Sequence, residues 1–202
     1  MTLDRRTFLA AGGAATIAGP ALAHHTKPFE IPEEWLPRRV RLRAELPAGE
    51  IHLIPGDFAL YWTEEDRHAI RYAVGIGRGD LYESGTFWIR AKKEWPSWKP
   101  TQEMMERDPE LYTNFEEGEK YEKGMPGGPG NPLGARALYL FDAAGRDTYL
   151  RIHGTNNPRT IGTAVSNGCA RLINSHIGHL YDLVPQDTKV VLYPKGWSAT
   201  IG

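Results

Sequence analysis

The chain has 202 residues, 41% hydrophobic and 24% charged, with 24 basic against 25 acidic side chains and a formal charge of -1. That length and balance fit one globular domain with a buried core and argue against a disordered or fibrous protein. Without a basic surplus nucleic acid is not an expected partner, and the single cysteine excludes an intrachain disulfide and Cys-rich metal scaffolds.

Residues 1–23 read as an export signal. Arg5-Arg6-Thr7-Phe8-Leu9 has twin-arginine character, residues 7–20 are a weakly hydrophobic Gly/Ala stretch, and Ala21-Leu22-Ala23 has the A-x-A form of a cleavage site. The expected product begins near His24 and is periplasmic. No later run approaches the roughly 18–20 apolar residues that span a bilayer, so no membrane insertion is expected after cleavage, and no cysteine follows the site to carry a lipid anchor.

Residues 24–48, rich in Pro and Arg, read as an N-terminal arm leading into a domain over 49–195, with 196–202 as a tail. Ile51-His52-Leu53-Ile54 and Phe58-Ala59-Leu60-Tyr61-Trp62 flank Pro55-Gly56-Asp57, a hairpin signal. Further β-rich runs cover 69–76, 86–91, 137–141, 149–153, 164–165 and 189–193. The Glu- and Met-rich stretch 101–111 predicts a short helix ending by Asp108, because Pro109 disfavours helical backbone before it. The Gly/Pro run 124–132 is a long turn segment. Ile173, Ile177, Leu180 and Val184 recur at helical spacing, with Asn174 or Ser175 as the expected cap and Pro185 as the stop. The fold class is mainly β: one sandwich- or barrel-like domain with one or two short helices.

The chemistry concentrates between 151 and 171. His153 ends a β run, and Cys169 follows 16 residues later within Ser166-Asn167-Gly168-Cys169-Ala170-Arg171. A free thiol with a pKa of about 8.5 needs a base to become a nucleophile near neutral pH. His153 is the candidate base, provided its other ring nitrogen is anchored; with no carboxylate close in sequence, a backbone carbonyl near Gly154 is the expected anchor. Gly168 permits a turn that aims the amides of Asn167, Gly168 and Cys169 at one point, as an oxyanion hole requires.

His153-Gly154-Thr155, Ile161-Gly162 and Ser166-Asn167-Gly168-Cys169-Ala170-Arg171-Leu172 together resemble the YkuD-type L,D-transpeptidase motif. Pro96-Ser97-Trp98-Lys99-Pro100 and Gly130-Asn131-Pro132-Leu133-Gly134 resemble upstream segments of that family in the same order. The resemblance implies a cell-wall enzyme that cleaves a tetrapeptide stem of peptidoglycan after its third residue and holds the acyl group as a thioester. An amine acceptor from a second stem then gives a 3→3 cross-link. Water, a free D-amino acid or a lipoprotein lysine are the alternative acceptors, carbapenems the expected covalent inhibitors, and no cofactor is implied. Cys169 is then the nucleophile and His153 the base, with the turn 167–169 as oxyanion hole. The chain departs from the family's pattern at Asn167, where histidine is frequent, at Ala170, where a bulkier aliphatic is usual, and at Tyr82-Glu83-Ser84-Gly85, where a Thr-Pro-x-Gly strand start is usual.

Other residues carry weaker signals. Arg171 suits a substrate carboxylate or a brace for the nucleophile turn, and Gly154, Thr155, Ser166 and Trp98 are further candidates for substrate contact. Asn174 reads as a helix cap rather than a brace of that turn. Segment 95–131, with Trp95, Trp98, Tyr112, Phe115 and Tyr121, reads as a lid over a peptide groove or as an insertion packed on the sheet. His176 and His179 stand three apart on the predicted helix without an evident third ligand, so no metal is expected. Two other classes remain. One is a wall-binding module with the same fold and no activity, against which intact His153 and Cys169 argue. The other is a papain-like peptidase, against which the His-before-Cys order argues.

Overall fold

A computed structural model describes residues 29–197. The export signal and its cleavage site, the start of the arm and the last five residues of the tail lie outside the described residues. Eleven strands are present among those described: β1 (Arg38–Arg41), β2 (Ile51–Ile54), β3 (Ala59–Thr63), β4 (His68–Ala73), β5 (Ile76–Gly77), β6 (Gly85–Glu94), β7 (Arg136–Phe141), β8 (Asp147–His153), β9 (Ala164–Ser166), β10 (Ala170–Arg171) and β11 (Lys189–Leu192). Nine of them form one sheet in the order β1-β4-β3-β2-β11-β6-β7-β8-β10, and β5 pairs with β9 in a second, two-stranded sheet. The protein is mainly β, as its composition of short β-rich runs predicts.

The long sheet rolls back on itself. Gly75, just past β4 near one edge, exchanges backbone hydrogen bonds of 2.9 and 2.8 Å with Arg171 in β10 at the other edge. That contact requires a glycine, since a Cβ at position 75 would lie 2.4 Å from the Thr160 carbonyl oxygen. It also splits the run 69–76 into two strands. Inside the roll, Leu53, Leu60, Tyr72, Ile89, Leu138, Ile152 and Leu172 form the main core with Ile177 and Leu180 of the second helix. On the sheet's other face Ile54, Ala59, Tyr61 and Ala69 form a smaller cluster under Leu42.

The two helices are α1 (Gln102–Arg107), capped by the Thr101 hydroxyl, and α2 (Asn174–Leu183). Ile173, Ile177, Leu180 and Val184 are all buried. Each stabilises the fold by about 1.5–3 kcal/mol relative to exposure. Two sequence expectations are corrected. Asn174 is not a cap: Ile173 occupies the cap position and no side chain caps the helix. Segment 24–48 is more than an arm, because β1 adds to β4 in antiparallel register, Arg38 opposite Arg71 and Arg41 opposite His68. Its arginines hide a strand whose pairing depends on Val40 and Leu42 facing the smaller core, and charge on an edge strand also blocks pairing with another chain. Finally, β10 is two residues long and carries no β-branched side chain, so it left no pattern to read.

Candidate active site

The site is assembled by the parallel pairing of β8 with β10, in which Ala170 stands opposite Ile152 and Arg171 opposite His153. Extending the register by one residue sets Cys169 beside Arg151. Because strand side chains alternate, Arg151, His153, Cys169 and Arg171 share one face, and all four line the same cleft of about 1170 Å³. Cys169 and His153 are thus diagonal neighbours, about 5 Å apart across the strands and about 7 Å along them at the backbone.

Local turns fix both groups. The His153 imidazole is 3% exposed, and its Nδ1 lies 2.6 Å from the Gly154 carbonyl oxygen, the anchor expected of it. A proton on Nδ1 leaves Nε2 as the free acceptor. Before the cysteine, Ser166 donates its hydroxyl to the Cys169 carbonyl at 2.6 Å and closes the turn. Gly168 has φ +117°, and a Cβ there would lie 2.9 Å from the Leu81 carbonyl oxygen and 3.1 Å from Leu150 Cδ2, so neither backbone nor space admits a side chain. The half-exposed Cys169 thiol donates to the Tyr149 carbonyl at 3.8 Å.

Electrostatics set the resting protonation. Burial pushes His153 down to about 3, aided by the positive charges of Arg171 and Arg151 and opposed by the Gly154 carbonyl. Burial also raises the Cys169 thiol, with the Arg151 amide and the two arginines working the other way and Glu83 adding to the rise. Burial thus favours the neutral form of both the thiol and the imidazole.

Asn174 carries the loop after His153. Its Oδ1 accepts from the Ala135 and Thr155 amides at 3.0 and 3.1 Å. Gly134 and Gly154 both wrap that oxygen, and a Cβ on either would fall 2.2 Å from it. A cap and a brace use the same side-chain oxygen, so the sequence does not separate them. Gly154 and Thr155 do not line the cleft. Thr155 is buried, exchanging hydrogen bonds with the backbone of Asn157, and both residues shape the loop. Ser166, Trp98 and Arg171 do line the cleft. Among the described residues the Arg171 guanidinium forms no salt bridge with an acid, and its buried Nε has no hydrogen-bond partner there.

The opposite wall is segment 95–131. Trp98, Tyr112, Phe115 and Tyr121 form an aromatic cluster, with Trp98 edge-on to Phe115 at 5.2 Å, and Trp98 bridges to Met125 through paired backbone bonds of 2.9 and 2.7 Å. This wall is tied to the turn before Cys169 through side chains: Arg107 donates to Asn167 Oδ1 at 2.7 Å and Asn167 donates to the Tyr112 hydroxyl at 3.2 Å, while Arg78, whose amide donates to the Ser166 carbonyl, pairs with Asp108 at 2.5 Å. The Asn167 side chain is thus engaged with this facing wall. Sequence reasoning missed Arg107 and Tyr149, and a charged residue on a short exposed helix carries no periodic signal. His179 of α2 pairs with the Tyr72 hydroxyl at 2.7 Å. Among the described residues no three His, Cys, Asp or Glu side chains gather as a metal site.

Comparison with known proteins gives this arrangement relatives. The YkuD family, described as the L,D-transpeptidase catalytic domain, matches residues 50–192. A protein from the ATP synthase subunits region of Fuscovulum blasticum that carries an L,D-transpeptidase name is 34% identical over 94% of this chain and 97% of its own. ErfK/SrfK of Escherichia coli, also named as an L,D-transpeptidase, is 34% identical over 66% of this chain, and the match spans only 40% of that longer protein. Among solved structures, a Brucella melitensis protein named carnitine operon oxidoreductase caia is 41% identical with a TM-score of 0.53, covering 84% of this chain and 94% of its own. The C442S L,D-transpeptidase of Enterococcus faecium, 16% identical with a TM-score of 0.52 over 73% of this chain and 50% of its own, shares the fold.

Proposed function

Because the chain belongs to the YkuD family of L,D-transpeptidase catalytic domains and is such an enzyme, we propose that Cys169 attacks a peptidoglycan stem tetrapeptide and passes its acyl group to an amine, forming a 3→3 cross-link. The observation that carries this reading is the shared face of β8 and β10, which sets a thiol and a carbonyl-anchored imidazole as neighbours in one cleft. As sulfur attacks the carbonyl carbon of the third residue, His153 Nε2 takes the thiol proton. The turn 167–169 donates its amides to the oxyanion, a contribution of about 3–4 kcal/mol per donor in comparable sites. Collapse breaks the carbon–nitrogen bond, His153 returns the proton to the departing D-alanine nitrogen, and a thioester remains. The acceptor amine then attacks it, loses its proton to His153, and the carbon–sulfur bond breaks to restore the thiol. Arg171, a guanidinium without an acid partner on the cleft wall, pairs with a carboxylate of the stem.

The test is mass spectrometry of muropeptides after incubation with a purified tetrapeptide stem. Dimers joined 3→3 with free D-alanine are expected, and none with Cys169→Ala. Trimmed monomer alone would reassign the activity to L,D-carboxypeptidase, and turnover retained in Cys169→Ala would remove the proposed nucleophile. A carbapenem adduct on Cys169, read by intact mass, is expected from the same thioester chemistry and would be missing from a non-catalytic wall-binding module. Export by the twin-arginine route to the periplasm completes the proposal, and replacing Arg5 and Arg6 with lysine is expected to retain the chain in the cytoplasm.

A further inference from the structure

Tyr149 holds a left-handed backbone, φ +59°, inside a strand. It sits where the pairing of β7 with β8 slips register between Tyr139 and Phe141, and Asp147 Oδ1 fixes the turn by accepting the Tyr149 amide at 2.9 Å. The same carboxylate holds both terminal nitrogens of Arg151, at 2.7 and 2.8 Å. The bulge has a backbone task, since the Tyr149 carbonyl receives the Cys169 thiol. Any residue has a carbonyl, though, and glycine would adopt this φ without the steric cost that a Cβ brings. Core packing does not account for the side chain either: the ring is 70% exposed and touches the Arg151 guanidinium only loosely, at 5.9 Å from the ring centre. What remains is its place on the cleft wall beside Leu150, Arg151 and Cys169.

We propose that Tyr149 is a substrate-contact residue whose ring, held out by the bulge, forms a flat platform for the backbone of the acyl-donor peptide as it runs to Cys169. Backbone strain is kept at this position because it points an aromatic face, rigid about two side-chain bonds, into the cleft. The inference rests on the cleft being the stem-peptide site.

The test compares Tyr149→Gly and Tyr149→Phe with the wild-type chain. The glycine variant is expected to melt about 2–4 °C higher, because the strain is relieved, while its KM for a stem tetrapeptide rises about tenfold and its kcat falls by less than about threefold. Phenylalanine, which keeps the ring, is expected to restore KM. Binding is checked without turnover by titrating the tetrapeptide into Cys169→Ala with and without Tyr149→Gly, where the dissociation constant is expected to rise by the same factor. A KM and dissociation constant within twofold of wild type in the glycine variant would overturn the proposal, as would a lower melting temperature. Wild-type protein that neither binds nor turns over the tetrapeptide would overturn the reading of the cleft itself, before any variant is compared.

Discussion

The two walls of the cleft are built differently. The wall bearing Cys169 and His153 is set by backbone pairing: β8 and β10 are in register, Gly75 bonds Arg171 from the other side, and the Leu172 amide donates to the His153 carbonyl at 2.8 Å. The facing wall, 95–131, meets the turn before Cys169 through side-chain contacts of Arg107 and Tyr112 with Asn167, is tied to Arg78 through Asp108, and holds an aromatic cluster of its own. Backbone ladders fix positions to fractions of an ångström, and exposed polar contacts are worth about 0.5–1.5 kcal/mol each. The proposed chemistry, which needs two atoms at a fixed separation, sits on the first kind of wall, and the proposed peptide enters against the second.

Removing the sulfur makes the largest break. Cys169→Ala is expected to lower turnover by about 10⁴-fold or more while moving the melting temperature by no more than about 2 °C, since a half-exposed thiol on a registered strand holds little of the fold. The next largest follows from Asn174→Ala, which strips the Ala135 and Thr155 amides of their acceptor. A stability loss of about 1–3 kcal/mol is expected by chemical denaturation, with a fall in kcat exceeding the change in KM. An effect on stability alone would mean that the registered wall positions His153 without this brace.

A separate effect is the pH dependence of the fold. His153 has a folded pKa below its unfolded value, so its contribution is fully present above about pH 6.5 and is lost as pH falls toward about 3. Burial lowers His52 and His176 as well, with the same sign, so the readout is wild type minus His153→Gln. That difference is expected to slope by about 1.4 kcal/mol per pH unit below pH 6.5, and a flat difference would show that the imidazole is not held neutral. The smallest effect belongs to the latch. Arg107→Ala is expected to cost less than about 1 kcal/mol of stability while changing KM several-fold. A loss of several kcal/mol would mean that the lid is part of the registered core.

The sequence made the registered wall more legible than the latched one, for a physical reason. His153, Gly168 and Cys169 are constrained in residue type by backbone geometry and reactivity, and such constraints leave motifs. The β runs and the α2 stripe were readable from periodicity, because burial imposes a period of 2 or 3.6. Where two roles use one chemical group, as at Asn174, or where a strand is too short or too charged to show a period, as in β10 and β1, pattern reading had nothing to grip. Arg107 and Tyr149 matter through position in space alone, and only the folded chain brings them to the same cleft as Cys169.

The clamp on Arg171, bonded to Gly75 on one side and packed along His153 on the other, dictates how the enzyme can house a bulky adduct. If Cys169 is acylated as proposed, the strand that carries it has no freedom to retreat, so any movement around the adduct falls to the facing wall, 95–131. Deuterium uptake after acylation should therefore climb across 95–131 while the amides of Arg171 and Leu172 stay as protected as before.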